Sequence, residues 1–152
     1  MTAGTMASDA LVQEITIVAP AERVFAALTR PEELVRWWTV EGQVRTLAAD
    51  CDVRPVGGWS MVVEGPCGAG VAHKVYGVYR KVEAPRVLEF TWNREGEDWP
   101  ESVVRWDLEE KDGITRARVT HSGLTSEDMR QRNNGWSLIV RMLEAWVERN
   151  RE

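Results

Sequence analysis

His121 is one of only two histidines in the 152-residue chain and has the side chain best suited to acid–base chemistry. It alternates with Ala117 and Val119 on one face of a predicted strand, which places the imidazole among apolar neighbours. Because the ordinary pKa of histidine lies near neutral pH, this ring could act as a general base or bind a ligand. The sequence favours a structural role, in which the ring binds a backbone carbonyl and fixes the following turn.

The other reactive side chains form no recognisable catalytic or metal-binding set. Neither a G-x-S-x-G turn nor the Ser-His-Asp order occurs, so a hydrolase nucleophile is unsupported. Cys51 and Cys67 belong to no C-x-x-C pair and have no cluster of histidines beside them, so we expect no metal and no cofactor. Whether the two cysteines form a disulfide stays open. His73 is expected on the surface.

Four polar side chains on predicted strands could each place a polar atom inside the fold: Glu64, Tyr76, Tyr79 and Arg105. Strand side chains alternate between the two faces of a sheet, and a single bulge inverts that alternation. The sequence therefore does not decide which of these four side chains face the interior.

Tryptophan is unusually frequent, with eight residues in the chain. Trp37 and Trp38 are adjacent at the end of a predicted helix, where neighbours project about 100° apart, so we predict one ring in the core and the other at the rim of an opening. The rings of Trp59, Trp92 and Trp106 fall on predicted inner faces of strands. Core packing is the first interpretation for these rings. Several rings facing one space also suit a flat ligand, through stacking worth about 0.5–1.5 kcal/mol per pair beyond burial.

The sequence thus predicts a binding site made mainly of apolar and aromatic side chains. The predicted ligand-binding residues are Trp37, Trp38, Trp59, Met61, Tyr76, Trp92, Trp106, His121, Trp136, Ile139, Val140 and Leu143.

Hydrophobic periodicity indicates the elements that position these residues. Residues 11–18 alternate as a strand, and two short helices follow, beginning at Pro20 and Pro31, because proline suits the first turn of a helix. An antiparallel meander of strands is predicted next, with a two-residue hairpin at Asp112-Gly113. Its strands are predicted at 57–65, 71–82, 87–92, 102–110 and 114–121.

One long helix is predicted over residues 125–150. Thr125 and Asp128 fit a capping box at its start. An apolar stripe with helical spacing then consists of Trp136, Ile139, Val140, Leu143, Trp146 and Val147. Gly135 would lie inside this helix, at a cost of about 1 kcal/mol relative to alanine. The order of elements predicts an α+β fold of about six or seven antiparallel strands around one long helix.

Five segments together resemble the START-like (SRPBCC) superfamily, in the branch named for the C-terminal domain of heat-shock-chaperone ATPase activators. The resemblance covers about residues 11–150 and is carried by "PAERVFAALTRPEELVRWW", "GGWSMVV", "YGVYRKVEAPRVLEFTW", "VRWDLEEKDGITRARVTHSGL" and "NGWSLIVRMLEAW". It implies a helix-grip fold with a cavity under the C-terminal helix. It implies no single activity, since relatives carry lipids, bind polyketides or act as cyclases.

Charge and composition limit the partners. A net charge of −5 with scattered basic residues argues against nucleic acid, and no apolar run reaches the roughly 20 residues of a membrane span. Residues 1–10 lack the pattern of a signal peptide and are expected to be a disordered tail. A cytoplasmic location is therefore expected, with residues 11–150 forming a single domain.

Three functions remain open from the sequence. The favoured hypothesis is a non-catalytic protein that binds a small hydrophobic, lipid- or polyketide-like ligand in an aromatic cavity. The second hypothesis is a cyclase- or dehydratase-type enzyme on a polyketide-like substrate, which needs His121 in the cavity, with Tyr76 or Arg105 as candidate partners. The third is a chaperone-associated interaction module, in which Trp99 and one ring of the Trp37–Trp38 pair form an interface, including that of a homodimer.

Overall fold

The computed structural model of the protein describes residues 9–40, 44–65 and 72–150. Within these ranges the strands form one curled antiparallel sheet, in the order β1-β8-β7-β6-β5-β4-β3-β2. The strands are β1 (Ala10–Ile17), β2 (Thr39–Val40), β3 (Val44–Cys51), β4 (Gly58–Glu64), β5 (Ala72–Glu83), β6 (Val87–Arg94), β7 (Ser102–Lys111) and β8 (Ile114–Ser122). Apart from β1, each strand therefore lies beside its neighbours in the chain.

Four helices accompany the sheet in the described part of the chain: α1 (Ala21–Thr29), α2 (Pro31–Trp37), α3 (Glu127–Arg132) and α4 (Trp136–Arg149). Helix α4 packs against β1 and buries its apolar face in the main core. The arrangement confirms the predicted α+β helix-grip architecture. Its physical basis is that a sheet with one apolar face needs a helix with an apolar stripe to cover it.

The two short helices begin where the sequence predicts. Pro31 occupies the first turn of α2, and Pro20 precedes α1 in an extended conformation. Val24, Phe25 and Leu28 of α1 are buried, as their spacing on one face indicates. The hairpin between β7 and β8 also matches its prediction, since its two central residues have positive φ, as two-residue turns of this kind require.

The strand count exceeds the prediction because β2 and β3 lack clear sequence signals. Strand β2 has only two residues. The pairing of β3 with β4 shifts between Thr46 and Ala48, and the exposure of β3 follows no strict alternation. A bulge of this kind breaks the period of two on which strand prediction depends.

The predicted single helix over 125–150 is wrong, because the structure divides it into α3 and α4. The break contains Asn133, Asn134 and Gly135, three residues with low helix propensity. The side-chain amide of Asn133 donates to the carbonyl of Met129 at 2.8 Å, which satisfies the end of α3 locally. Gly135 therefore lies at the N-cap of α4, with φ −119°, and not inside a helix.

The start of this region also differs from its prediction. Ser126 caps α3, and its hydroxyl accepts a hydrogen bond from the backbone N–H of Met129 at 3.1 Å. Thr125 is exposed and does not form the predicted capping box. The apolar stripe of α4 agrees with its prediction at five positions, and Trp146 is only half-buried.

Candidate functional site

Trp92 lies at the centre of a cluster of aromatic rings on the inner face of the sheet. Its ring stacks on that of Trp38, with centroids 6.3 Å apart and an angle of 25° between planes. The rings of Trp59 and Trp136 lie 5.3 Å and 6.0 Å from it. The His121 ring lies 5.4 Å away. Strands β4 and β8, helix α4 and the end of α2 supply these neighbours, so the cluster depends on contacts between distant parts of the chain.

The adjacent Trp37 and Trp38 have different environments. Trp37 ends α2, is 3% exposed, and donates its indole N–H to the carbonyl of Ala27 at 2.9 Å. Trp38 has left the helical conformation, with φ −83° and ψ 65°, so its ring also turns toward the sheet. The Trp38 ring is half-buried and contacts both Trp37 and Trp136, at 5.4 Å and 5.8 Å. Two neighbouring rings thus reach the same interior because the helix ends between them.

A cavity lies between this cluster and the two short helices. It is lined by Leu28, Leu34, Trp38, Cys51, Trp59, Met61, Tyr79, Phe90, Trp92 and Trp106. The free space including the mouth is about 370 Å³, but only about 30 Å³ of it can hold the centre of a water molecule. That is room for about two waters, since one needs roughly 10–15 Å³ on this measure. The rings themselves fill most of the space.

The structure brings only part of the predicted set to the cavity. Five predicted residues line it: Trp38, Trp59, Met61, Trp92 and Trp106. The buried residues of α4, which are Trp136, Ile139, Val140 and Leu143, pack in the core without lining the cavity. The cavity therefore lies under α1 and α2, whereas the family resemblance implied a position under the C-terminal helix. The buried residues of α4 belong to the main core.

Two polar candidates from the strands lie outside the interior. Tyr76 is 40% exposed and follows the buried Val75 on β5, which places its side chain on the outer face. Arg105 lies between buried residues of β7 and pairs with Asp107 at 3.1 Å. The suggestion that Tyr76 and Arg105 face the cavity is therefore wrong. It depended on which residues of each strand face inward, and the sequence alone did not fix this.

Tyr79 and Cys51 are lining residues that the predicted set omitted. Tyr79 is one of the four polar strand residues whose face the sequence does not decide. Cys51 lies on β3, a strand that the sequence does not predict. Burial raises the pKa of the Cys51 thiol and that of the Tyr79 hydroxyl, and the two groups hydrogen-bond each other. Both are therefore neutral at physiological pH. Cys51 is a free thiol, and Cys67 lies outside the described residues.

His121 has no exposed surface and uses both ring nitrogens in hydrogen bonds. Trp136 donates its indole N–H to Nδ1 at 3.2 Å, and Nε2 lies 2.8 Å from the hydroxyl of Ser102. An indole nitrogen can only donate, so Nδ1 is unprotonated and Nε2 carries the proton. Nε2–H therefore donates to Ser102, whose hydroxyl donates to the carbonyl of Trp92 at 3.3 Å.

This chain of hydrogen bonds defines the chemistry that His121 can perform. Burial lowers its pKa to about 4, so the ring is neutral at physiological pH. Because Nε2 donates to Ser102, the imidazole cannot accept the serine proton, and the pair does not form an activated nucleophile. His121 is not among the residues that line the cavity. Its partners differ from the backbone carbonyl predicted at the strand end, although the role remains structural.

The remaining candidates lie apart from the cavity. His73 is half-buried on β5, where burial and the neighbouring Arg94 lower its pKa. Trp99 is half-buried in the segment between β6 and β7, with no ring contact to the cluster. Among the described residues, no group of three or more His, Cys, Asp or Glu side chains could hold a metal ion. In the same residues, no helix is long and apolar enough to cross a membrane.

A curled antiparallel sheet closed by helices over an aromatic interior defines a helix-grip protein of the START-like superfamily. A family model described as "Activator of Hsp90 ATPase homolog 1-like protein" matches residues 18–148, and the chain belongs to this family. No curated protein matches the chain.

Solved structures similar to this chain share its fold at low sequence identity. A protein from Nitrosomonas europaea is 20% identical with a TM-score of 0.79, over 95% of this chain and 97% of that one. An AHSA1-like protein from Aeromonas hydrophila is 22% identical with a TM-score of 0.74, over 92% and 94%. CalU16 from Micromonospora echinospora is 22% identical with a TM-score of 0.65, over 91% and 75%. At these identities the likeness establishes the fold alone.

Proposed function

We propose that the protein binds a small hydrophobic ligand, of the lipid- or polyketide-like class, in the cavity beneath α1 and α2. One observation carries the proposal: all ten lining residues are uncharged, and six are aromatic, namely Trp38, Trp59, Tyr79, Phe90, Trp92 and Trp106. Mostly apolar, concave sites of this composition are typical of small-molecule binding. Aromatic walls favour a ligand with a flat ring.

Binding requires one side chain to move, because the free space is small in the absence of ligand. Trp38 is the lining residue best placed to do so. It is half-buried, it follows the last turn of the seven-residue α2, and its backbone is no longer helical. Its ring stacks on Trp92, so a ligand ring that displaced it would find the same aromatic face. We expect the ligand to replace the Trp38 ring against Trp92.

A ligand screen tests this function. Thermal shift and tryptophan fluorescence would be measured with a panel of fatty acids, sterols, polycyclic ketones and simple aromatic compounds. At least one class is expected to raise Tm and quench fluorescence, because a bound ring contacts Trp92 and the other lining indoles. Failure of the whole panel to change either signal would contradict the proposal.

Two matched tryptophan variants locate the binding. Trp38→Phe replaces the lining indole by a smaller ring that stacks less strongly on Trp92, so the ligand should displace it more easily. The affinity is expected to rise by up to about tenfold, since one ring pair contributes roughly 0.5–1.5 kcal/mol. Trp99→Phe is the control, because Trp99 lies between β6 and β7, makes no ring contact with the cluster and does not line the cavity. Its affinity should stay within twofold of the wild type. Equal effects of both variants would place the ligand elsewhere.

No observation favours the two alternative functions. A cyclase- or dehydratase-type reaction was expected to use His121, and that ring is sealed away from the cavity and bonded through both nitrogens. An interaction module was expected to expose Trp38 and Trp99 together, and both are half-buried with no ring contact between them. The cytoplasmic location and the homodimer stay predictions.

A further inference from the structure

Trp106 is the most buried aromatic residue that lines the cavity. It lies in the middle of β7, faces the interior, and is 1% exposed. Its ring meets that of Trp136 edge-on, with centroids 6.0 Å apart and an angle of 80° between planes. Neighbours Val104 and Leu108 on the same face are also buried. The ring is therefore held in one place, and any polar atom on it has a fixed position.

The indole N–H of Trp106 differs from those of the other buried tryptophans. Trp37 donates to the carbonyl of Ala27, and Trp59 donates to the carbonyl of Thr91, each at 2.9 Å. Trp136 donates to His121. Within residues 9–40, 44–65 and 72–150, no side chain or carbonyl accepts a hydrogen bond from Trp106. A buried donor without an acceptor is costly.

The unpaired indole N–H of Trp106 must face a space that the protein does not seal. In the described part of the chain, every side-chain nitrogen or oxygen that is sealed from solvent has a hydrogen-bond partner. The Trp106 nitrogen has no such partner, so it is not sealed, although the residue is 99% enclosed by protein. The free space that Trp106 borders is the cavity. In the absence of ligand, the one or two waters that fit there can accept this hydrogen bond.

The cavity offers this donor to a ligand but offers no charge. Apart from the indoles, the polar lining side chains are Tyr79 and Cys51, which are neutral and bonded to each other. Indole N–H groups donate and carry no charge. A charged ligand would have no counter-ion, and burying an unpaired charge is highly unfavourable. A ligand hydroxyl would add a proton that needs an acceptor of its own, and a carbonyl oxygen would not. The complementary group is an uncharged oxygen without a proton of its own.

The geometry points to a ligand that carries a neutral carbonyl oxygen beside an aromatic ring, with the oxygen accepting from Nε1 of Trp106. An aryl ketone is the simplest compound of this class. The ring would stack against Trp92, and the carbonyl would replace the water at Trp106. This inference rests on the proposed function, because it specifies the ligand of the same cavity.

A matched ligand series separates the inference from the proposed function. Binding of indan-1-one, indane and indan-1-ol to the wild-type protein would be measured by tryptophan fluorescence and calorimetry. We expect indan-1-one to bind about five- to tenfold more tightly than indane, which has the same rings without the oxygen. Equal binding of all three would overturn the carbonyl preference and leave the hydrophobic site standing. Absence of binding by all three, together with a failed screen, would overturn both.

Two tryptophan variants assign the preference to one donor. Trp106→Phe removes the free N–H and is expected to reduce the affinity ratio of indan-1-one to indane to about one. Trp59→Phe makes the same replacement of an indole by a phenyl ring at another lining position. Because the N–H of Trp59 is already bound to the carbonyl of Thr91, the ratio should remain near the wild-type value. An unchanged ratio in Trp106→Phe would overturn the assignment.

An observation on the intact protein covers the case in which Trp106→Phe does not fold. In the wild type labelled with 15N on the indoles, indan-1-one should move the Trp106 N–H resonance downfield, and indane should not, because only the ketone accepts a hydrogen bond. The resonance would be assigned by its absence from a Trp106→Tyr variant or by nuclear Overhauser contacts to Trp136. Equal shifts with both compounds would overturn the inference.

Discussion

At the scale of single residues, His121 holds the aromatic cluster in one arrangement. It accepts from Trp136 on α4 and donates to Ser102 on β7, and Ser102 in turn donates to the carbonyl of Trp92. Each donor in this chain has an acceptor, so the polar groups are buried without penalty. Protonation of Nδ1 would remove the acceptor of Trp136. The network therefore depends on a neutral imidazole.

The first prediction concerns the pH dependence of stability. The pKa of His121 is lowered to about 4 in the folded protein, against about 6.5 when unfolded. Its contribution is fully present above pH 6.5 and is lost as pH falls toward 4, because only the unfolded state binds the proton in that window. Chemical denaturation at pH 6.5 and pH 5 should show a loss of about 1.5 kcal/mol from this residue.

The variant His121→Gln should reduce the slope of the free energy of unfolding against pH between pH 6.5 and pH 5, whatever its stability at pH 6.5. His73→Asn is the control, because His73 is only half-buried and forms no part of the network. Most of the slope should survive in that control. A slope that is unchanged in His121→Gln would show that another group causes the pH dependence.

At the scale of elements, the region after β8 shows how capping places helix boundaries. Ser126 accepts from the backbone N–H of Met129, and Glu127 and Asp128 lie in the first turn of α3. Hydroxyl caps satisfy one of the otherwise unpaired N–H groups at a helix start. Thr125 has a similar side chain one residue earlier but does not occupy the cap position.

The second prediction tests this cap. Ser126→Ala should lower the free energy of unfolding by about 1 kcal/mol, since it removes the acceptor for Met129. Thr125→Ala should change it by less than about 0.5 kcal/mol, because Thr125 is exposed and its hydroxyl donates only to the sulfur of Met129, a weak acceptor, at 3.9 Å. Urea denaturation of the two variants measures both values. A larger loss for Thr125→Ala would restore the capping box predicted from the sequence.

At the scale of the whole molecule, Glu33 joins the helices α1, α2 and α4. From α2, its carboxylate accepts from Arg23 of α1 at 2.8 Å and from the indole of Trp146 of α4 at 2.8 Å. Arg23 also donates to the carbonyl of Asn150 after α4. The side chains of Arg23 and Glu33 are only 13% and 10% exposed. This ion pair therefore fixes α2, and with it Trp38, relative to α4.

The third prediction follows from removing that charge. Glu33→Gln leaves Arg23 enclosed without its partner and should cost about 2–4 kcal/mol, because breaking a buried ion pair is more harmful than lacking one. Glu32→Gln is the matched control on the exposed side of α2 and should cost less than about 0.5 kcal/mol. Thermal or urea denaturation would distinguish them. Equal losses would mean that Glu33 is no more important than a surface carboxylate.

The stabilisation by the Arg23–Glu33 ion pair also depends on pH. Burial alone would raise the pKa of Glu33, but hydrogen bonds from Arg23 and Trp146 and the charges of Arg23 and Arg30 outweigh it and hold the pKa below its ordinary value. The stabilisation is thus present above the ordinary pKa near 4.5 and is lost as pH falls below it. This window lies below that of His121, so the two effects can be separated by pH.

Local patterns in the sequence were sufficient for most of the elements, although not for β2, β3 or the break between α3 and α4. The prolines that begin α1 and α2, the Asp112-Gly113 hairpin and the apolar stripe of α4 all act within a few residues of themselves. Turn conformations, caps and amphipathic periods are set by neighbours in the chain, so a sequence alone determines them. The α+β class follows from their order.

The tertiary structure decided how those faces meet. It turned Trp38 inward where α2 ends, placed Tyr76 on the outer face, and brought Ser102 and Trp136 to the two nitrogens of His121. It also formed a cavity beneath the short helices and left the indole N–H of Trp106 without an acceptor among the described residues. These features depend on strand register, bulges and contacts between distant residues, and a shift of one position in any strand would reverse which side chains lie inside.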